Sequence, residues 1–286
     1  MRTPLRVLPL LTLLVLLCAA CGGQTQAVTP GGTGTATNAT PATTLNIFAA
    51  ASLTEAFNEI KGQYETSHAS IRLQYNFAGS QQLVQQIANG AAADIFASAD
   101  QTNMQKAIDG NLVQTPKVFA KNRLVLIVPA SNPAHITSLK DLSKSGVKIV
   151  LGGPTVPAGK YALQIFDKLG ASPAYGASYE SAVKKNVVSQ EDNVKAVVQK
   201  VQLNEADAGM VYLSDVTSAV TGKVEMITIP DDFNVIAQYP VAVTKGSTHA
   251  SDAQAFEDFL LSSQGQVILT KYHFLSIVNN AGGQDK

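Results

Sequence analysis

From Leu45 onward the chain alternates short apolar runs with longer segments whose apolar residues recur at helical spacing. The run Leu45-Asn46-Ile47-Phe48-Ala49 predicts a strand, and Ser52 to Thr66 predicts a helix with Leu53, Ala56, Phe57, Ile60 and Tyr64 on one face. Ile71 to Phe77, Ile95 to Ala97, Leu124 to Val128 and Lys148 to Leu151 read as strands, with helices expected at Gln81 to Asn89 and Ala158 to Leu169. A short strand near Val187 precedes a helix from Asp192 to Leu203, in which Val194, Val197, Val198 and Val201 form one apolar face. Strands at Ala208 to Tyr212, Val224 to Ile229 and Val241 to Val243, then helices at Ala253 to Leu261 and Gln264 to Tyr272, complete the pattern. Strands alternating with helices in this way predict an α/β fold of mostly parallel sheets flanked by helices.

The N-terminus breaks that pattern. Arg2 and Arg6 precede an apolar stretch, Leu8 to Leu17, that is too short for a comfortable membrane span and reads as a secretion signal. Ala19 and Ala20 lead into Cys21, followed by Gly22 and Gly23, which resembles the lipobox at which bacterial lipoproteins are cut and acylated. Cys18 stands where that motif usually carries Leu. On this reading residues 1–20 are a lipoprotein signal peptide, and residues 21–44 are an acylated Cys21 with a flexible Gly/Thr/Ala/Pro tether. The protein would then be anchored to the membrane rather than spanning it.

Composition narrows the chemistry. With 286 residues, 45% hydrophobic and 15% charged, the chain can bury a sizeable core. Twenty-one basic side chains balance 21 acidic ones, so the surplus of positive charge that nucleic-acid binding requires is missing. Loss of Arg2 and Arg6 with the signal leaves 19 basic against 21 acidic side chains, a formal charge of −2 on the exported part. Both cysteines, Cys18 and Cys21, fall outside the folded part, so neither a disulfide framework nor a thiolate metal site is available to it.

Candidate chemistry gathers where strands run into helices. Ser52-Leu53-Thr54-Glu55 reads as a capping box after the first strand, and Ser80 stands in the same relation to its own strand and helix. Val156-Pro157-Ala158-Gly159-Lys160 opens a third helix with Pro near its first position, and Gln190-Glu191-Asp192-Asn193-Val194 opens a fourth. Each alone is an ordinary helix start. Four aimed at one cleft would supply unpaired N–H groups and positive dipole ends, an anion site that needs no cationic side chain.

Five segments carry a family resemblance: Phe48 to Thr54, Phe77-Ala78-Gly79-Ser80, Asp94 to Asp100, Val156 to Ala162 and Gly209 to Asp215. In order and spacing they resemble the signature blocks of the molybdate-binding proteins of the ModA type, and the resemblance runs from Leu45 to about Phe274. It implies a two-lobed periplasmic-binding-protein fold of type II, with residues 45–121 plus 241–286 as lobe I and residues 122–240 as lobe II. It also implies that molybdate or tungstate is held in the cleft by Ser52, Ser80, Ala158, Val194 and Tyr212, with the metal contacted only through its oxygens and no cofactor. Glu191 or Asp192 is the nearest carboxylate that could enlarge that shell. The stretches near Lys121 to Arg123 and Tyr239 to Val241 are the expected hinges. An ABC permease with its ATPase is the implied partner, and the protein is expected to be an extracytoplasmic monomer. Sulfate or another oxyanion is the alternative ligand, because size is the main difference among these ions. A secreted serine hydrolase using Ser52 or Ser80 is the remote alternative; none of His68, His135, His249 and His273 falls in a recognisable catalytic motif.

Overall fold

The computed structural model describes residues 42–277; the expected signal peptide, Cys21 and the expected tether as far as residue 41 lie outside the described residues. Leu45, Ile47 and Ala49 alternate into the core, and that period of two makes Thr43–Ala50 the first strand, β1. A single 3₁₀ turn, Ala51–Leu53, leads into α1 (Thr54–Ser67), whose buried face is Ala56, Phe57, Ile60 and Tyr64. Next come β2 (Ile71–Ala78), α2 (Ser80–Ala88), β3 (Ile95–Ala97), α3 (Gln101–Asp109) and β4 (Lys117–Asn122). The chain crosses at Arg123 into β5 (Leu124–Pro129), then runs through β6 (Ile149–Gly152), α4 (Pro157–Ala171), α5 (Tyr179–Lys185) and β7 (Val187–Glu191). After α6 (Val194–Gln202), β8 (Ala208–Tyr212) and β9 (Val224–Thr228) it crosses back over residues 229–236. β10 (Ala237–Val243), α7 (Ala250–Leu261) and α8 (Ser263–Lys271) close the fold.

Two five-stranded sheets result, ordered β2-β1-β3-β10-β4 and β7-β6-β8-β5-β9, one in each lobe. β1 pairs in parallel with β2 and β3, and β6 pairs in parallel with β7 and β8. β10 and β5 are antiparallel to both of their neighbours, so in each sheet four strands run one way and a single strand runs against them. The direction of the crossings explains this. A strand entering a lobe from the other lobe begins at the cleft, whereas the strands that build the site end there. β5 and β10 are the two entering strands, and they must run against the rest.

The core lies between sheets and helices. β5 is buried along its whole length, and α6 packs Val194, Val197, Val198 and Val201 beneath β8. Full burial of one such side chain is worth about 1.5–3 kcal/mol, so this face alone anchors the start of α6 firmly. Two helices were not expected from the sequence. α3 buries only Asn103, Met104 and Ala107, and α5 is seven residues long with Tyr179 and Val183 inward, so neither shows a wide apolar stripe. β10 begins at Ala237, upstream of the expected Val241, because Pro240 sits at a bulge after Tyr239 instead of ending the strand. The return crossing therefore precedes Tyr239.

Candidate functional site

Ser52, Ser80, Ala158, Val194 and Tyr212 line one small cavity of about 10 Å³. Three of the strands that run in parallel, β1, β2 and β6, deliver their carboxyl ends toward it, the place where open α/β sheets present ligands. Space of that order holds a water-sized group or an ion of a few atoms and no drug-sized molecule. No charged side chain lines it among the described residues.

The five residues reach the cavity by different routes. Ser52 lies in the 3₁₀ turn between β1 and α1, 2% exposed, with its Oγ 2.9 Å from the Tyr239 hydroxyl. The expected capping box is not formed. The turn moves the helix start on, so Leu53 holds the capping position without a side-chain bond, and Thr54 Oγ1 donates to the Ala51 carbonyl at 2.7 Å. Glu55 turns instead to Lys195, at 2.7 Å. Ser80 is the first residue of α2, with Gly79 as its cap, and Ser80 Oγ accepts the Ala99 N–H at 3.0 Å. Ala158 follows Pro157 in the first turn of α4, and Val194 opens α6 behind Asn193, whose side chain accepts the Ala196 N–H at 3.2 Å. First-turn N–H groups of a helix have no partner within it, so those of Ser80, Ala158 and Val194 are free to serve the cavity.

Tyr212 ends β8 and is 1% exposed. Its hydroxyl is buried without a hydrogen-bond partner. Burial, reinforced by neighbouring Tyr239, Tyr161, Asp100 and Asp215, pushes that hydroxyl well above the ordinary tyrosine range, so it stays protonated and able to donate. A buried hydroxyl without a partner is expensive and usually marks a missing one.

Neither Glu191 nor Asp192 lines the cavity. The Glu191 carboxylate receives Ser189 Oγ at 2.5 Å and Lys200 Nζ at 2.7 Å, while the Asp192 carbonyl accepts from Gln81 Nε2 at 2.8 Å. Among the described residues no group of three or more His, Cys, Asp or Glu could hold a metal ion. Neither serine pairs with an imidazole: His68 stacks on Tyr64 and His249 meets Asp94. Sequence reasoning gave no role to Ala99 and treated Tyr239 only as part of a hinge. The Asp94 to Asp100 block carried the signal for the first. Tyr239 lies 187 positions from Ser52, so no local pattern could join them.

The family profile described as bacterial extracellular solute-binding protein matches residues 45–275. The chain belongs to that family. A curated relative, the molybdate-binding protein ModA of Mycobacterium tuberculosis (strain ATCC 25618 / H37Rv), is 35% identical over 92% of this chain and 94% of its own length. The solved substrate binding domain of a putative molybdenum ABC transporter from Clostridium difficile is 34% identical, covering 82% of this chain and 99% of that one, with a TM-score of 0.61. The sulfate-binding protein SubI from Mycobacterium tuberculosis H37Rv shares the fold alone: TM-score 0.74 at 18% identity, over 83% of this chain and 88% of that one.

In this solute-binding protein three polar contacts bridge the lobes around the cavity. Gln81 meets the Asp192 carbonyl, Lys160 donates to Thr102 Oγ1 and lies 3.7 Å from Asp100, and Lys195 pairs with Glu55. Lys195 also lies 3.1 Å from Asp215, whose side chain has no exposure and whose Oδ2 accepts the Tyr212 N–H at 3.1 Å. Burial opposes the charge on Lys195, and the carboxylates of Asp215 and Glu55 outweigh it. Lys195→Met is therefore expected to lower unfolding stability by about 2–3 kcal/mol, because it strands a buried carboxylate. Urea unfolding measures the loss, and Glu55→Gln, which leaves the Asp215 pair intact, is expected to cost less than about 1 kcal/mol.

Proposed function

We propose that this solute-binding protein captures a doubly negative tetrahedral oxyanion, molybdate or tungstate, outside the cytoplasmic membrane and hands it to an ABC permease driven by its ATPase. The observation that carries the proposal is the Tyr212 hydroxyl, buried, protonated and without a partner in a cavity that no charged side chain lines. An oxyanion oxygen completes it. Ser52 and Ser80 add hydroxyl and backbone N–H donors, and Ala158 and Val194 add backbone N–H donors. Helix N-termini carry roughly half a positive charge each, so four starts around one cavity offset a charge of the order of −2. That is how a chain with no surplus of basic residues can hold a dianion. The ion named for the mycobacterial relative supports molybdate over sulfate.

The lobes rotate about the crossings at Arg123 and residues 229–236, and the closed form is what the permease reads. Cleavage after residue 20 and acylation of Cys21 tether the monomer to the outer face of the membrane. No helix among the described residues is long and apolar enough to cross one. The protein binds its ion and releases it unchanged, without cofactor or turnover.

A thermal-shift panel with molybdate, tungstate, sulfate and phosphate tests the assignment. An ion that binds only the native state adds about 2.7 kcal/mol at 100 times its Kd. For a domain of this size that is a rise of roughly 5–10 °C. Molybdate and tungstate are expected to give it at concentrations where sulfate and phosphate give little. An equal response to all four, or none to any, contradicts the proposal.

A further inference from the structure

Each serine of the cavity is met by a polar group of the protein. Ser80 Oγ accepts the Ala99 N–H at 3.0 Å, and a backbone N–H can only donate. The hydroxyl proton of Ser80 is thereby left to face the cavity. For Ser52 the partner is the Tyr239 hydroxyl at 2.9 Å, where either oxygen could be the donor. The surroundings of Tyr239 favour one direction. Asn122 Oδ1 accepts the Arg123 N–H at 2.9 Å, which fixes the amide, and its Nδ2 donates to Ser214 Oγ at 2.8 Å. The same amide neighbours the Tyr239 hydroxyl, and an amide nitrogen can only donate. Tyr239 is fully buried, and Ser52 Oγ stands within hydrogen-bond reach of its hydroxyl.

We propose that Tyr239 and Asn122 are positioning residues that act through Ser52: a directed chain, Asn122 amide to Tyr239 oxygen and Tyr239 hydroxyl to Ser52 oxygen, obliges Ser52 to donate its proton to the bound anion. Asn122 ends β4 at the first crossing and Tyr239 lies in β10 just past the second, so the chain begins where the lobes are joined. With both serines held as donors, the cavity favours fully ionised oxygens over one that carries a proton and needs an acceptor. The inference rests on the oxyanion reading of the site.

The test is a double-mutant cycle read by calorimetric titration of sodium molybdate into the wild type, Tyr239→Phe, Ser52→Ala and the double variant. Tyr239→Phe is expected to weaken binding about tenfold in the wild-type background and less than about twofold once Ser52 is Ala. Equal losses in both backgrounds, or no loss in the wild type, would overturn the inference, since the ring would then only be packing. Where Ser52→Ala binds too weakly to titrate, the ratio of molybdate to hydrogen phosphate affinity decides. Tyr239→Phe lowers that ratio about tenfold if Ser52 has become free to accept, and an unchanged ratio rejects the chain. Thermal melts confirm that the variants fold; if Tyr239→Phe does not, Asn122→Ala, which removes the donor to the tyrosine oxygen, takes its place in the cycle. A wild type that binds none of molybdate, tungstate and sulfate removes the oxyanion reading itself, a result distinct from every variant outcome above.

Discussion

Gly79→Ala is expected to weaken oxyanion binding by about tenfold or more while leaving the melting temperature of the unliganded protein within about 2 °C of the wild type. The backbone tolerates the change, because Gly79 has φ −63° and ψ 139°, values any residue adopts. The obstacle lies across the cleft. A Cβ at Gly79 would stand 2.3 Å from the carbonyl oxygen of Asp192 in the other lobe, and 2.5–2.6 Å from the mobile end of Gln81. Gln81 can swing away, but the Asp192 carbonyl belongs to the backbone that leads into α6, so the added methyl group props the lobes apart. Only the closed form is penalised, and binding suffers where folding does not. Calorimetry of the anion together with a melt of the unliganded protein reads both halves. Unchanged affinity would mean that the lobes need not approach this closely to hold the ion.

Tyr212→Phe is expected to have opposite effects on binding and on stability. Removing a hydrogen bond to a charged group costs about 1.5–3 kcal/mol, which is roughly 10- to 150-fold in Kd. The unliganded protein gains or holds stability, because the hydroxyl taken away is buried and has no partner. The ring remains packed edge-on to Tyr239, with centroids 5.6 Å apart. Anion titration and urea unfolding of the same variant separate the two effects. A loss of stability with binding unchanged would mean that the hydroxyl serves the fold instead of the ligand.

The parts of this molecule legible in the sequence are those whose cause is local. Alternating Leu45, Ile47 and Ala49, and the valine face of α6, announce themselves because one side of each must be buried. Four of the five expected contact residues, Ser52, Ser80, Ala158 and Val194, sit where a strand runs toward a helix and short motifs mark the turn, and Tyr212 ends a buried strand. What stayed hidden has causes distant in the chain. The one reversed strand of each sheet follows from where the chain enters a lobe, which strand and helix spacing does not encode. Ser52 looked like a helix cap because four residues matched a capping box; the turn Ala51–Leu53 and the distant Tyr239 give its hydroxyl another use. α3, with two small or polar inward residues, Asn103 and Ala107, and Met104 as its one large apolar anchor, lacks the stripe that marks α1.

The central claim is that uncharged donors at converging helix starts hold a dianion between the lobes. A crystal structure of the protein grown with tungstate tests it most directly, since the heavy atom locates itself by anomalous scattering. One tungsten peak is expected in the cavity, its oxygens within about 2.7–3.2 Å of the donors of Ser52, Ser80, Ala158, Val194 and Tyr212. A peak held by lysine or arginine side chains elsewhere, with this cavity empty, would contradict it.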